Sequence, residues 1–206
     1  MWLKICGVTR EEDARLAASL GADAIGLVFW PHSRRSVDVE RARRIAGALP
    51  AGVAAVGVFV DEAVERVRLV ASRVGLHLVQ LHGAETPEAC RQMPRPVIKA
   101  FGVGPAFDPS LVDAYAEATV LLDADAPESK GGTGTRADWE VAARVARRRR
   151  VILSGGLSPE NVAEAIARVA PHGVDVSSGV EAAPGIKDAE RMRRFVAAVR
   201  QAGGRA

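Results

Sequence analysis

The feature that most restricts the fold of this chain is an alternation repeated eight times: a short apolar run rich in β-branched residues, then an amphipathic stretch of roughly 10–15 residues. The apolar runs are Leu3–Ile5, Ala24–Phe29, Val53–Phe59, Leu78–Leu81, Val97–Ala100, Val120–Asp123, Val151–Ser154 and Val174–Val176. Helical patterns follow at Glu11–Leu20, Val39–Ala48, Glu62–Val74, Glu85–Gln92, Pro109–Glu117, Asp138–Ala146, Pro159–Val169 and Asp188–Val199. Eight strand–helix units of roughly 25 residues, with no linker or break in composition, predict an α/β fold: a single (β/α)8 TIM barrel, one domain over residues 1–206. A doubly wound open sheet is the alternative. It calls for Gly-x-Gly-x-x-Gly after the first strand, whereas that turn reads Cys6-Gly7-Val8-Thr9-Arg10, with Thr9 expected as helix N-cap and Glu12 as its capping-box partner.

Composition narrows the function classes. With 48% hydrophobic and 26% charged residues the chain is ordinarily globular, which excludes disordered and fibrous classes. No apolar run approaches the ~18 residues of a spanning helix, and the N-terminal residues lack the pattern of a signal peptide, so no membrane partner and a cytoplasmic location are expected. A net charge of +3 is too dilute for a nucleic-acid binder and suits a small acidic substrate. The one basic run, Arg147 to Arg150, is expected to cap the helix that precedes it. Arg outnumbers Lys 24 to 4 and Asn161 is the only Asn, a pattern compatible with a heat-adapted (thermophile) protein and equally with high genomic GC content. Two cysteines make no disulfide framework, so Cys6 and Cys90 are read as free thiols.

In such barrels the chemistry sits at the C-terminal ends of the strands and in the loops beyond them. There the sequence offers Cys6, Arg34 and Arg35, His82, Asp123, and the turns Ser154-Gly155-Gly156 and Ser177-Ser178-Gly179. The two turns can present backbone N–H groups to a phosphate, or simply allow tight bends. Lys130-Gly131-Gly132-Thr133-Gly134 is long enough to act as a lid. Strand alternation puts Trp2, Lys4 and Cys6 on one face, so an inward Lys4 means an inward Cys6, whose thiolate a nearby ammonium would favour. Cys6 could equally be a small buried hydrophobe, and Cys90, in a helical pattern, is read as structural. Asp123 is an acid or nucleophile candidate or a loop-capping carboxylate. Asp175, between two valines, should face inward and needs a partner, for which Lys4 is expected. His82 contacts substrate or supports a group that does.

Lys4-Ile5-Cys6-Gly7-Val8-Thr9, Val56-Gly57-Val58-Phe59-Val60, Val79-Gln80-Leu81-His82-Gly83, Leu121-Leu122-Asp123, Gly131-Gly132-Thr133-Gly134, Ser154-Gly155-Gly156-Leu157-Ser158-Pro159-Glu160-Asn161-Val162 and Val174-Asp175-Val176-Ser177-Ser178-Gly179-Val180-Glu181, in this order, resemble the phosphoribosylanthranilate isomerases of tryptophan biosynthesis. The family usually carries an aromatic residue where Ala137 precedes Asp138. The resemblance implies an Amadori rearrangement of a phosphosugar, without metal or cofactor, by a monomer or homodimer. It implies Asp123 as general acid and Cys6 as general base, and Arg35 as bidentate partner of the anthranilate carboxylate. His82 and Asp175 join the substrate-binding set, and Gly132, Gly155, Gly156, Ser178 and Gly179 the phosphate-binding set. Two other classes compete: a Schiff-base aldolase or lyase using Lys99 or Lys4, and a catalytically silent phosphosugar binder.

Overall fold

The computed structural model describes residues 1–104, 106–124 and 138–203. Eight parallel strands, β1 (Trp2–Ile5), β2 (Ala24–Val28), β3 (Ala54–Phe59), β4 (Leu78–Leu81), β5 (Val97–Val103), β6 (Thr119–Ala124), β7 (Val151–Leu153) and β8 (Gly173–Val176), pair in chain order and form a closed barrel. Closure is made by β1 on β8, in a register that sets Lys4 against Asp175 and Ile5 against Val176. The open-sheet alternative is thereby excluded. Around the sheet run α1 (Glu11–Leu20), α2 (Val39–Gly47), α3 (Val64–Val74), α4 (Pro87–Arg91), α5 (Trp139–Ala146), α6 (Val162–Val169) and α7 (Ala189–Gly203). Their apolar stripes, such as Val67, Val70, Ala71 and Val74 of α3, pack on outward-facing strand residues such as Leu3, Ile25 and Leu27 in one cluster.

Four local expectations are corrected. After β5 the chain forms a 3-10 helix, Pro109–Tyr115, in place of an α-helix. Arg149 donates to the carbonyls of Val112, Tyr115, Ala116 and Ala118 at 3.1–3.4 Å, so the basic run chiefly caps this neighbour, while Arg147 ends α5 through its backbone. Thr9 does not cap α1: Arg10 is the N-cap residue without a side-chain bond, and the Thr9 hydroxyl donates to the Gly185 carbonyl at 2.6 Å. That carbonyl is delivered by a hairpin, β9 (Glu181–Ala183) with β10 (Ile186–Lys187), which the strand–helix alternation does not announce. Finally, α6 begins at Val162 rather than Pro159, because Asn161 accepts the Ser158 N–H and donates to the Gly156 carbonyl, each at 2.8 Å, which shapes the preceding segment as a loop.

The barrel interior has two characters. Its N-terminal half is filled by Ala24, Val56, Ile98, Ala100, Leu121 and Ile152, with Trp2, Ala54 and Leu78 packed against them. Its C-terminal half holds Lys4, Gln80, Asp123 and Asp175, all buried, and Cys6 packed with Val28 and Val58.

Candidate active site

The period of two along β1 carries Lys4 and then Cys6 up the inner wall. Lys4, with no solvent exposure, donates to Asp175 Oδ2 at 2.6 Å, the pairing expected from sequence. Burial works against its ammonium, but Asp175 and the Cys6 thiol outweigh that and hold its pKa above the ordinary lysine value. The second Asp175 oxygen, Oδ1, is buried without a hydrogen-bond partner among the described residues. Cys6 lies just beyond β1, its N–H bonded to the Val176 carbonyl at 2.8 Å. Glycine at position 26 gives the sulfur its room, since a Cβ there would stand 2.6 Å from Sγ. Cys6 is 9% exposed. Burial pushes its pKa up, and Lys4, which pulls the other way, does not compensate. The expectation that Lys4 would favour the thiolate is therefore right in sign and too weak in size: Lys4 is committed to Asp175, whose own charge opposes a second anion.

Across the barrel Asp123, 5% exposed, lies on β6 with its Oδ2 3.4 Å from His82 Nε2. His82 Nδ1 is in turn 3.2 Å from Gln80 Nε2, two residues back on β4. Asp123 and His82 both act electrostatically on Asp175, so the Lys4–Asp175 pair lies in the field of both walls. The loop that carries His82 is fixed by Glu85, which accepts the N–H groups of Asp61 at 2.8 Å and Gly83 at 2.9 Å and the Lys99 ammonium at 3.0 Å. Lys99 donates further to the Gly83 carbonyl at 2.8 Å. Both lysines that a Schiff-base enzyme would use are thus buried and bound to carboxylates.

The glycine turns after β7 and β8 meet. Gly155 and Gly156 have φ of 84° and 61°, backbone that favours glycine, and a Cβ on Gly179 would collide with the Leu157 carbonyl. Ser178 opens a single 3-10 turn, Ser178–Val180, beside them. Gly132 and the expected lid fall outside the described residues. Arg35 reaches over Gly7, where a Cβ would strike its Cδ, and pairs bidentately with Glu181 through Nε at 2.8 Å and Nη2 at 2.7 Å. Arg34 is exposed. Cys90 is buried in α4 among core side chains, as expected of a structural cysteine. Four groups in this region escaped the reading of the sequence as site residues: Glu85, Asn161, Glu181 and Lys187. Only Asn161, the chain's one asparagine beside a glycine turn, left a signal.

Among the described residues no three His, Cys, Asp or Glu side chains are grouped to hold a metal, and no helix is long and apolar enough to cross a membrane. Residues 3–198 match the family described as N-(5'phosphoribosyl)anthranilate (PRA) isomerase. An N-(5'-phosphoribosyl)anthranilate isomerase from Geobacter sp. (strain M21) is 52% identical over 95% of this chain and 96% of its own. The phosphoribosyl anthranilate isomerase structure from Thermus thermophilus superposes with a TM-score of 0.90 at 43% identity, covering 98% of this chain and 99% of that one. A third relative, solved in complex with reduced 1-(o-carboxyphenylamino)-1-deoxyribulose 5-phosphate, gives 0.87 at 44% identity, with 99% of each chain covered.

Proposed function

This chain belongs to the N-(5'-phosphoribosyl)anthranilate isomerase family, and from that premise we infer the part each of its residues takes in the reaction. The protein is an aldose–ketose isomerase of tryptophan biosynthesis, converting N-(5'-phosphoribosyl)anthranilate to 1-(2-carboxyphenylamino)-1-deoxyribulose 5-phosphate. The rearrangement needs an acid at the ring oxygen and a base at C2. Asp123, protonated, donates to the ring oxygen as the C1–O bond breaks and the anilino nitrogen supplies the electron pair for a Schiff base. Cys6, as thiolate, removes the C2 proton, and those electrons neutralise the iminium to give an enolamine. Tautomerisation, with a proton returned to C1, yields the ketone. The observation that carries this reading is the pair itself: Cys6 and Asp123, both nearly buried, at the same end of one barrel, just beyond β1 and on β6, in a common electrostatic field with Asp175.

The remaining groups bind. Arg35 meets the anthranilate carboxylate with the Nη1 edge, which its bonds to Glu181 leave over. Asp175 Oδ1 accepts from a substrate hydroxyl, the donor it lacks within the described residues, and His82 orients Asp123. The phosphate lies on backbone N–H groups of the Gly155-Gly156 and Ser178-Gly179 turns, with Gly132 contributing from its loop. The composition supports a heat-adapted protein, and the activity a cytoplasmic monomer or homodimer. The test is a fluorescence assay following loss of phosphoribosylanthranilate. Cys6→Ser should lower turnover by about 10²–10⁴-fold while product affinity holds within a fewfold, because a hydroxyl is not appreciably ionised near neutrality. A variant within about fivefold of wild type removes Cys6 from the mechanism.

A further inference from the structure

Glu181 opens the hairpin that the sequence pattern does not announce, and its carboxylate is bonded on every side. Oε1 accepts from Arg35 Nε at 2.8 Å, Lys187 Nζ at 2.8 Å and the Gly185 N–H at 3.2 Å, while Oε2 accepts from Arg35 Nη2 at 2.7 Å. Lys187, its side chain wholly out of solvent, also donates to the Ser177 carbonyl at 3.1 Å. Its backbone N–H is held by Asp13, which is itself neutralised by Arg10. Burial works to raise the Glu181 carboxyl, but Arg35 and Lys187 outweigh it and hold the group below the usual carboxylate range. One carboxylate thus lies between two cations, and both cations act electrostatically on Cys6. The cluster keeps one positive charge in excess beside the general base, an arrangement that favours an additional anion there.

We propose that Glu181, backed by Lys187, is the positioning residue that fixes the Arg35 guanidinium and so sets the enzyme's preference for a substrate bearing an aromatic carboxylate. The inference rests on the reading of Arg35 as partner of that carboxylate. An unrestrained arginine offers its donors in many rotamers, whereas one held through Nε and Nη2 presents a single remaining edge in one place. The ordering is complete before substrate arrives.

The experiment compares inhibition constants of two compounds: reduced 1-(o-carboxyphenylamino)-1-deoxyribulose 5-phosphate and its counterpart lacking the carboxylate. Wild type should bind the carboxylated compound more tightly. Glu181→Gln should cut that discrimination about tenfold by weakening only the carboxylated compound, the other staying within about twofold. Arg35→Ala should cut it at least as far, and the double variant no further than Arg35→Ala, since the two side chains act as one unit. If Arg35→Ala abolishes discrimination and Glu181→Gln leaves it intact, the inference fails and the reading of Arg35 stands. If Arg35→Ala leaves discrimination intact, both fail. If both compounds weaken together in Glu181→Gln, Glu181 serves only the loop's structure and the inference fails. Should Glu181→Gln not fold, Glu181→Asp carries the same comparison, keeping the charge while being too short to take both guanidinium donors.

Discussion

The two halves of the barrel interior are built on the same eight strands and buried to the same degree, yet they do opposite work. Around Leu121 and Ile152 the inward side chains are apolar, and burial stabilises them at about 25 cal/mol per Å² removed from water. One pleat further along, the same strands carry Lys4, Gln80, Asp123 and Asp175 into an equally dry place, where each polar group is a liability unless a partner meets it. Position 121 and position 123 on β6 are two residues apart and face the same way, one a leucine packed in the apolar layer and the other a carboxylate 3.4 Å from His82. The lower half therefore stabilises the barrel, and the upper half draws on that stability to hold charges in place.

The sharpest way to break this contrast is Asp123→Asn. It should lower kcat/KM by about 10²–10⁴-fold with little change in thermal midpoint, because it removes a proton donor at nearly constant size. In wild type, activity that needs the Cys6 thiolate rises with pH, and since burial raises that thiol the rising limb should lie above the pH at which an exposed cysteine ionises. The limb should survive in Asp123→Asn. Its disappearance would assign it to the carboxyl and undo the division of roles.

Next in size is Asp175→Ala, which leaves the Lys4 ammonium buried without its carboxylate and should destabilise by about 3–5 kcal/mol in urea unfolding at neutral pH. Lys4 has its pKa raised in the folded protein, so its contribution is fully present below the ordinary lysine pKa and is lost as pH rises through the higher folded value. The gap between wild type and variant should accordingly narrow in strong alkali. A gap that is constant with pH would mean that packing, not charge, is what the pair supplies.

The smallest effect belongs to the lower half. Ile152→Val removes one methylene from the apolar layer and should lose about 0.5–1.5 kcal/mol of stability with kcat per folded molecule unchanged. A fall in kcat of the Asp123→Asn kind would show that the halves are not separable.

Along the chain, each residue's neighbours are enough to determine its period, and the period determined a great deal here. The alternation of apolar runs and amphipathic stretches specified eight strands, strand parity put Lys4, Cys6 and Asp175 inside, and the need of a buried carboxylate for a partner pointed from Asp175 to Lys4. Glycine pairs at strand ends marked the turns that meet beside Asn161. What depends on closure was not available to such reasoning. The Arg35–Glu181 pair spans 146 positions, and only strand order and register bring two such residues together. The hairpin after β8 drew Thr9 away from its cap, bound Arg35 before any substrate could, and added Lys187 to the surroundings of Cys6. Even the direction of the Cys6 shift was a tertiary decision. A lysine two residues away argues for a thiolate, but desolvation by the whole barrel wall, and an aspartate from the far end of the chain that already holds that lysine, argue more strongly against it.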